Sequence, residues 1–143
     1  YDVSWCMNVG EKIDPEYEKW FQIVYDARED ARQFIQARLD AGEKVRGYEV
    51  DRRLKERFEQ LGCAQYLMHR TGHNIGHRCH GIGANLDDYE THDDRCLLPG
   101  TMFSIEPGLY TDKYGVRLEY DVHITSEGET KVYGPVQDEI LVI

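Results

Sequence analysis

The chain has 143 residues, 41% of them apolar and 31% charged, the balance of a soluble globular protein. Seventeen basic against 27 acidic residues leave a formal net charge of −10. A field of that sign repels phosphate backbones and anionic lipid, so neither a nucleic-acid nor a membrane partner is expected. This length is most simply one domain, residues 1–143. No apolar run approaches the ~18–20 residues of a membrane span. Cys6, Cys63, Cys79 and Cys96 include no CxxC pair, which excludes zinc-ribbon and thioredoxin-like motifs. They read as reduced thiols of a cytoplasmic protein.

The chain opens on Tyr1 without a methionine and runs directly into YDVSWCMNVG, which predicts a fragment lacking an N-terminal part. Residues 2–9 mix β-branched and aromatic side chains and Gly10 closes them, the signature of a strand. Asp14 and Pro15 then set up a helix start, as N-cap and first helical residue. Tyr17, Trp20, Phe21, Val24, Ala27, Ala31, Phe34, Ile35 and Leu39 recur at three- and four-residue steps before Gly42 ends the stripe. A second helix is expected over residues 49–61, with Val50, Leu54, Phe58 and Leu61 inward and Gly62 as the stop.

HRTGHNIGHRCH follows at residues 69–80 and holds four of the six histidines. Gly72, Gly76, Gly81 and Gly83 argue against a helix there, so histidines four apart need not share a face. The acidic run DDYETHDD, residues 87–94, reads as a solvated loop, with a cation-attracting rim as the alternative. Strands are expected over residues 102–105, 116–124, 131–133 and 139–143, with a turn at 126–128. In the longest of them Val116, Leu118, Tyr120, Val122 and Ile124 share one face, and Arg117, Glu119, Asp121 and His123 the other. Two early helices and late antiparallel strands give an α+β fold.

Three carboxylates stand where simple folding would not put them. Glu106 follows a strand and precedes Pro107–Gly108, Glu119 lies on the polar face of a central strand, and Asp2 starts the first strand. Each alone also reads as an exposed carboxylate. Together with the histidine segment they form a plausible site for a hard or borderline metal ion. Two such ions about 3.5–4 Å apart lower the pKa of a shared water and polarise a scissile carbonyl.

HRTGHNIG followed by His80, then FSIEPGLY and VRLEYDV, resembles the pita-bread metallopeptidases, and among them the Xaa-Pro aminopeptidases and prolidases. The resemblance extends from Asp2 to the last strand. It implies a partial pita-bread (creatinase/aminopeptidase) fold and a metal-dependent exopeptidase. The bond attacked would be the one before proline at peptide N-termini, by a metal-activated bridging water. The implied cofactors are two divalent ions (manganese, cobalt or zinc) held by two aspartates, one histidine and two glutamates. On this chain that set maps to Asp2, His73, Glu106 and Glu119, with Glu106 also taking a proton and Glu119 bridging both ions. Ser4 stands where the family usually has threonine. His69 and His80 would line the substrate cleft and stabilise an oxyanion or orient the peptide, and Arg117 matches an arginine of the proline-specific members. A peptide substrate and a homodimer are the implied partners.

The family's first aspartate, about ten residues upstream of the Asp2 position, has no counterpart here, so the second ion would be weakly held or absent. Gly81, Tyr120 and Trp5 also depart from the family pattern. His77 and Cys79 receive no family role and read as packing or surface residues. Two alternatives stand beside the peptidase. One is an inactive or metal-free creatinase-like relative serving as a binding module. The other is a structural zinc site built from His73, His77, Cys79 and His80, whose four donors within eight residues are close for a loop-spaced tetrahedron.

Overall fold

In the computed structural model, which describes residues 2–143, the N-terminal strand expected over residues 2–9 shrinks to β1 (Met7–Asn8). It pairs in parallel with β8 (Leu141–Val142) from the far end of the chain. The residues before β1 are held by single bonds in place of a ladder. Asp2 N–H donates to the Asp121 carboxylate at 2.9 Å, and Glu119 N–H donates to the Ser4 carbonyl at 3.1 Å. The Gln137 amide satisfies both backbone groups of Cys6, at 2.7 and 2.5 Å. Side chains that bond the backbone offer it an alternative to the sheet.

Helix α1 (Pro15–Asp40) begins as its sequence predicts: the Asp14 side chain accepts the Glu16 N–H at 2.9 Å and Pro15 occupies the first turn. Val24, Ala27, Ala31 and Ile35 on its stripe are fully buried. Helix α2 (Gly47–Gln60) starts two residues earlier than the pattern suggests. Gly47 explains this, because a Cβ there would lie 1.7 Å from the Asn85 carbonyl oxygen. Only glycine lets the helix start press on that loop. Val50, Leu54 and Phe58 are buried, but Leu61, expected inward, is 50% exposed. It caps the helix C-terminus just before Gly62 (φ +68°) turns the chain away.

After a 3₁₀ turn (Ala64–Tyr66) come β2 (Asn74–Ile75), β3 (Met102–Ile105), β4 (Gly108–Tyr110), β5 (Gly115–Arg117), β6 (Tyr120–Ile124) and β7 (Thr130–Tyr133). Strands β2-β3-β6-β7 form an antiparallel sheet in that order, and β4-β5 form a separate hairpin. The single strand expected over residues 116–124 is therefore two strands broken at Leu118–Glu119. β5 pairs with β4, whereas β6 pairs with β3. Alternation runs straight through the break, since Val116, Leu118, Tyr120, Val122 and Ile124 are all buried.

One apolar core joins α1, α2 and the strands, with α1 packed across β3, β4, β5 and β7. The opposite face of β6 is not a solvent face. Glu119 and Asp121 are as buried as the core, and such burial of carboxylates needs a compensating partner.

Candidate metal centre

His73 stands at the start of β2, pinned by its backbone. Its N–H donates to Ser104 Oγ at 3.0 Å, and its carbonyl accepts the Ser104 N–H at 2.9 Å. Gly72 makes this approach possible, because a Cβ there would meet the Ser104 carbonyl oxygen at 2.0 Å. The ring Nδ1 lies 3.2 Å from the Asn74 carbonyl. That contact assigns the proton to Nδ1 and leaves a lone pair on Nε2. Nε2 points at two carboxylates, Glu106 Oε1 at 3.4 Å and Asp2 Oδ2 at 3.5 Å.

Glu106 leaves the end of β3. Its N–H donates to the Thr71 carbonyl at 2.7 Å, and Ser104 Oγ lies 3.2 Å from its Oε1. Glu119 enters from the break between β5 and β6. Ser4 Oγ donates to it at 2.6 Å, and Arg117 Nε donates in turn to Ser4 Oγ at 2.9 Å. Burial, with the charges of Glu106 and Asp2 nearby, pushes the Glu119 carboxyl up to about 7. Asp121, also raised by burial, accepts the Asp2 N–H and so fixes where Asp2 can reach.

The cleft these groups share, about 280 Å³, is lined by Asp2, His69, His73, His80, Glu106, Arg117 and Glu119, joined by Arg70 and Glu90. All seven residues singled out in the sequence thus face one cavity. The His80 ring stands edge-on to His73 at 4.2 Å between centroids. His69 Nδ1 contacts the Arg70 carbonyl at 2.7 Å, so its Nε2 accepts the Tyr110 hydroxyl at 2.8 Å. Gly108 leaves room for that ring, since a Cβ there would lie 2.7 Å from His69 Nε2. Arg117 Nη1 lies 3.9 Å from Glu106.

Sequence reasoning passes over three neighbours of the site, Arg70, Glu90 and Tyr110, and misses the contact of a fourth, Cys79. Arg70 and Glu90 pair across the cleft at 3.1 Å, and Tyr110 holds His69. Cys79, read from sequence as a packing or surface residue, donates its Sγ–H to Asp2 Oδ2 at 2.9 Å. That bond raises the thiol to about 11. Tyr110 lies in the same FSIEPGLY stretch as Glu106, and Arg70 and Cys79 lie in the same HRTGHNIGHRCH stretch as His73; Glu90 had no such marker beyond the acidic run. His77 is exposed and joins none of the donor groups found among the described residues.

Ligand atoms of Asp2, His73 and Glu119 all lie within 4.8 Å of one another. Glu106 adds a fourth donor beside His73. Carboxylate oxygens with one neutral imidazole suit a hard or borderline divalent cation. Three converging carboxylates, with Arg117 beside them and Arg70 already paired to Glu90, hold the surplus negative charge such a cation would neutralise. The residues therefore fit a metal.

Residues 1–126 match Peptidase_M24, the metallopeptidase family M24. The chain is 36% identical over 90 residues to "Probable dipeptidase PepE" of Mycobacterium tuberculosis, an alignment covering 62% of this chain and 23% of that protein. It superposes on the X-Pro aminopeptidase of Thermotoga maritima with a TM-score of 0.83 at 26% identity, covering all of this chain and 38% of the other. For the Xaa-Pro dipeptidase of Bacillus anthracis the TM-score is 0.82 at 27% identity, with 100% and 37% covered. The matches thus span between 23% and 38% of the length of these relatives. With its α+β layers, its carboxylate–histidine cleft and these likenesses together, the chain belongs to metallopeptidase family M24.

Proposed function

We propose that this chain supplies the metal-binding and substrate-facing groups of a metal-dependent peptidase that cleaves the bond before proline near a peptide N-terminus. The observation that carries the reading is the convergence of Asp2, His73, Glu106 and Glu119 on one cleft, with His69, His80 and Arg117 on its walls. The first four would hold divalent ions, manganese, cobalt or zinc. Bound there, the metal supplies Lewis acidity for the peptide carbonyl and a lowered pKa for water.

The chain's own groups have distinct parts. The Glu106 carboxylate faces the cleft and can accept a proton and pass it to the leaving amine. His80, beside His73, can donate a hydrogen bond to the carbonyl oxygen as its charge grows. His69 is locked by Tyr110 and orients the peptide. Arg117 is tied through Ser4 to Glu119, so it positions that carboxylate and presents its remaining donors to substrate. The preference for proline rests on Arg117 and on the names of the solved relatives. Four free cysteines fit a reducing, cytoplasmic setting. The metal-free binding module is disfavoured, because burying Glu119 beside Asp2 and Glu106 is costly without a cation.

The test pairs manganese-binding calorimetry with hydrolysis of Xaa-Pro peptides before and after chelation. Binding by the native chain, and hydrolysis that stops with chelator and returns with metal, is the expected outcome. Undiminished hydrolysis after exhaustive metal removal contradicts the reading.

A further inference from the structure

Two donor sets meet at His73. One is the carboxylate set, Asp2, His73 and Glu119; the other is His73, Cys79 and His80, whose ligand atoms also lie within 4.8 Å of one another. We propose that His73, Cys79 and His80 form a second, softer subsite that takes zinc-class cations in competition with the carboxylate set. The inference rests on the reading of the carboxylates and His73 as metal ligands, and deepens it by assigning a selectivity device to the same centre.

The chemistry of the donors separates the two sets. Thiolate and imidazole favour zinc and its thiophilic relatives, whereas carboxylates favour manganese and magnesium. Geometry permits the soft set. Zinc bonds of about 2.0–2.3 Å need donors roughly 3.3–3.8 Å apart at tetrahedral angles, so a spacing of at most 4.8 Å has to close by no more than about 1.5 Å. Cys79 and His80 lie on an exposed segment, residues 77–80, that can supply the movement, while His73 is buried and fixed. A fourth position is left to water or to Asp2, whose Oδ2 already touches Cys79 Sγ.

Competition follows from His73. Its Nδ1 faces the Asn74 carbonyl, so only the Nε2 lone pair is free to ligate, and one lone pair serves one ion. An ion on the cysteine side therefore withdraws the imidazole from the carboxylate side. Binding there breaks the Cys79 S–H bond. The proton leaves to solvent, the sulfur pair goes to the metal, and Asp2 loses its donor. Soft cations would thereby displace, or prevent, manganese loading.

The experiment uses the native chain with two probes: manganese followed by electron paramagnetic resonance, and cadmium followed by the ultraviolet thiolate-to-metal charge-transfer band. Cadmium should produce the band and release bound manganese. Cys79→Ser keeps a hydroxyl for Asp2, so it should bind manganese normally while losing the band. Its cadmium affinity should fall by about 100-fold or more, beyond the cost of losing a ligand's supporting partner, because the thiolate ligand itself is removed. His80→Ala should weaken cadmium binding without removing the band, a second check that does not touch the thiol. Persistence of the band in Cys79→Ser assigns it to another cysteine and overturns the proposal. Manganese binding with no cadmium band overturns it while leaving the carboxylate centre intact. Failure to bind either metal removes both readings.

Discussion

The two walls of the cleft are built differently. On one side Glu106 and Glu119 leave strands whose other face is the apolar core; the Glu106 N–H donates to the Thr71 carbonyl, and the hydroxyls of Ser104 and Ser4 donate to the two carboxylates, which fixes their approach. On the other side residues 77–80 form an exposed segment with no strand or helix, and bring Cys79 and His80 to the site. The first wall borrows its rigidity from folding free energy. The second can shift at little cost, because few buried contacts oppose it. Where donors are fixed, metal choice is set by spacing; where they are adaptable, it is set by softness.

The largest effect should come from His73→Ala, which removes the one donor common to both walls. Manganese and cadmium binding should both fall by about 100-fold or more by calorimetry, beyond the cost of losing a supporting partner. A loss confined to one metal would separate the walls and break the comparison.

Glu119→Gln tests the rigid wall alone. It should weaken manganese about 10–100-fold and leave the cadmium band. It should also flatten a pH dependence. The folded Glu119 carboxyl, raised to about 7, binds its proton more tightly than an unfolded glutamate. Stability from this group is therefore complete below a pH of about 4.3 and is lost as pH rises through about 7. The Tm of metal-free protein should fall over that window, and manganese should restore it.

Gly72→Ala sharpens the comparison through packing. Its Cβ would meet the Ser104 carbonyl oxygen at 2.0 Å. The strand carrying His73 must draw back from β3, at about 1–3 kcal/mol in urea unfolding, with a parallel drop in manganese affinity. The smallest change expected is from Tyr110→Phe, which loses the hydroxyl donor to His69, about 0.5–1.5 kcal/mol. It should raise KM for peptide and leave metal affinity alone.

Much of this was legible in the residues themselves. The stripe of α1 and its Asp14–Pro15 start are local signals, and local signals survive folding. The resemblance pointed to Asp2, His73, Glu106 and Glu119, and these meet in one cleft. What was not legible depends on long-range partners. Strand 116–124 reads as continuous because alternation persists across Leu118–Glu119, although the pairing partner changes there. Residues 2–6 read as a strand because their types suit one, but Asp121 and Gln137 take their backbone groups. Cys79 carries no pattern that predicts contact with Asp2, since 77 positions separate them.

The most direct test of the central claim, that these four side chains form a metal centre, is manganese titration of the native chain and of Glu119→Gln by calorimetry. Saturable binding by the native chain, weakened about 10–100-fold in the variant, is the predicted result. Equal affinity in the two proteins, or no binding by the native chain, would contradict it.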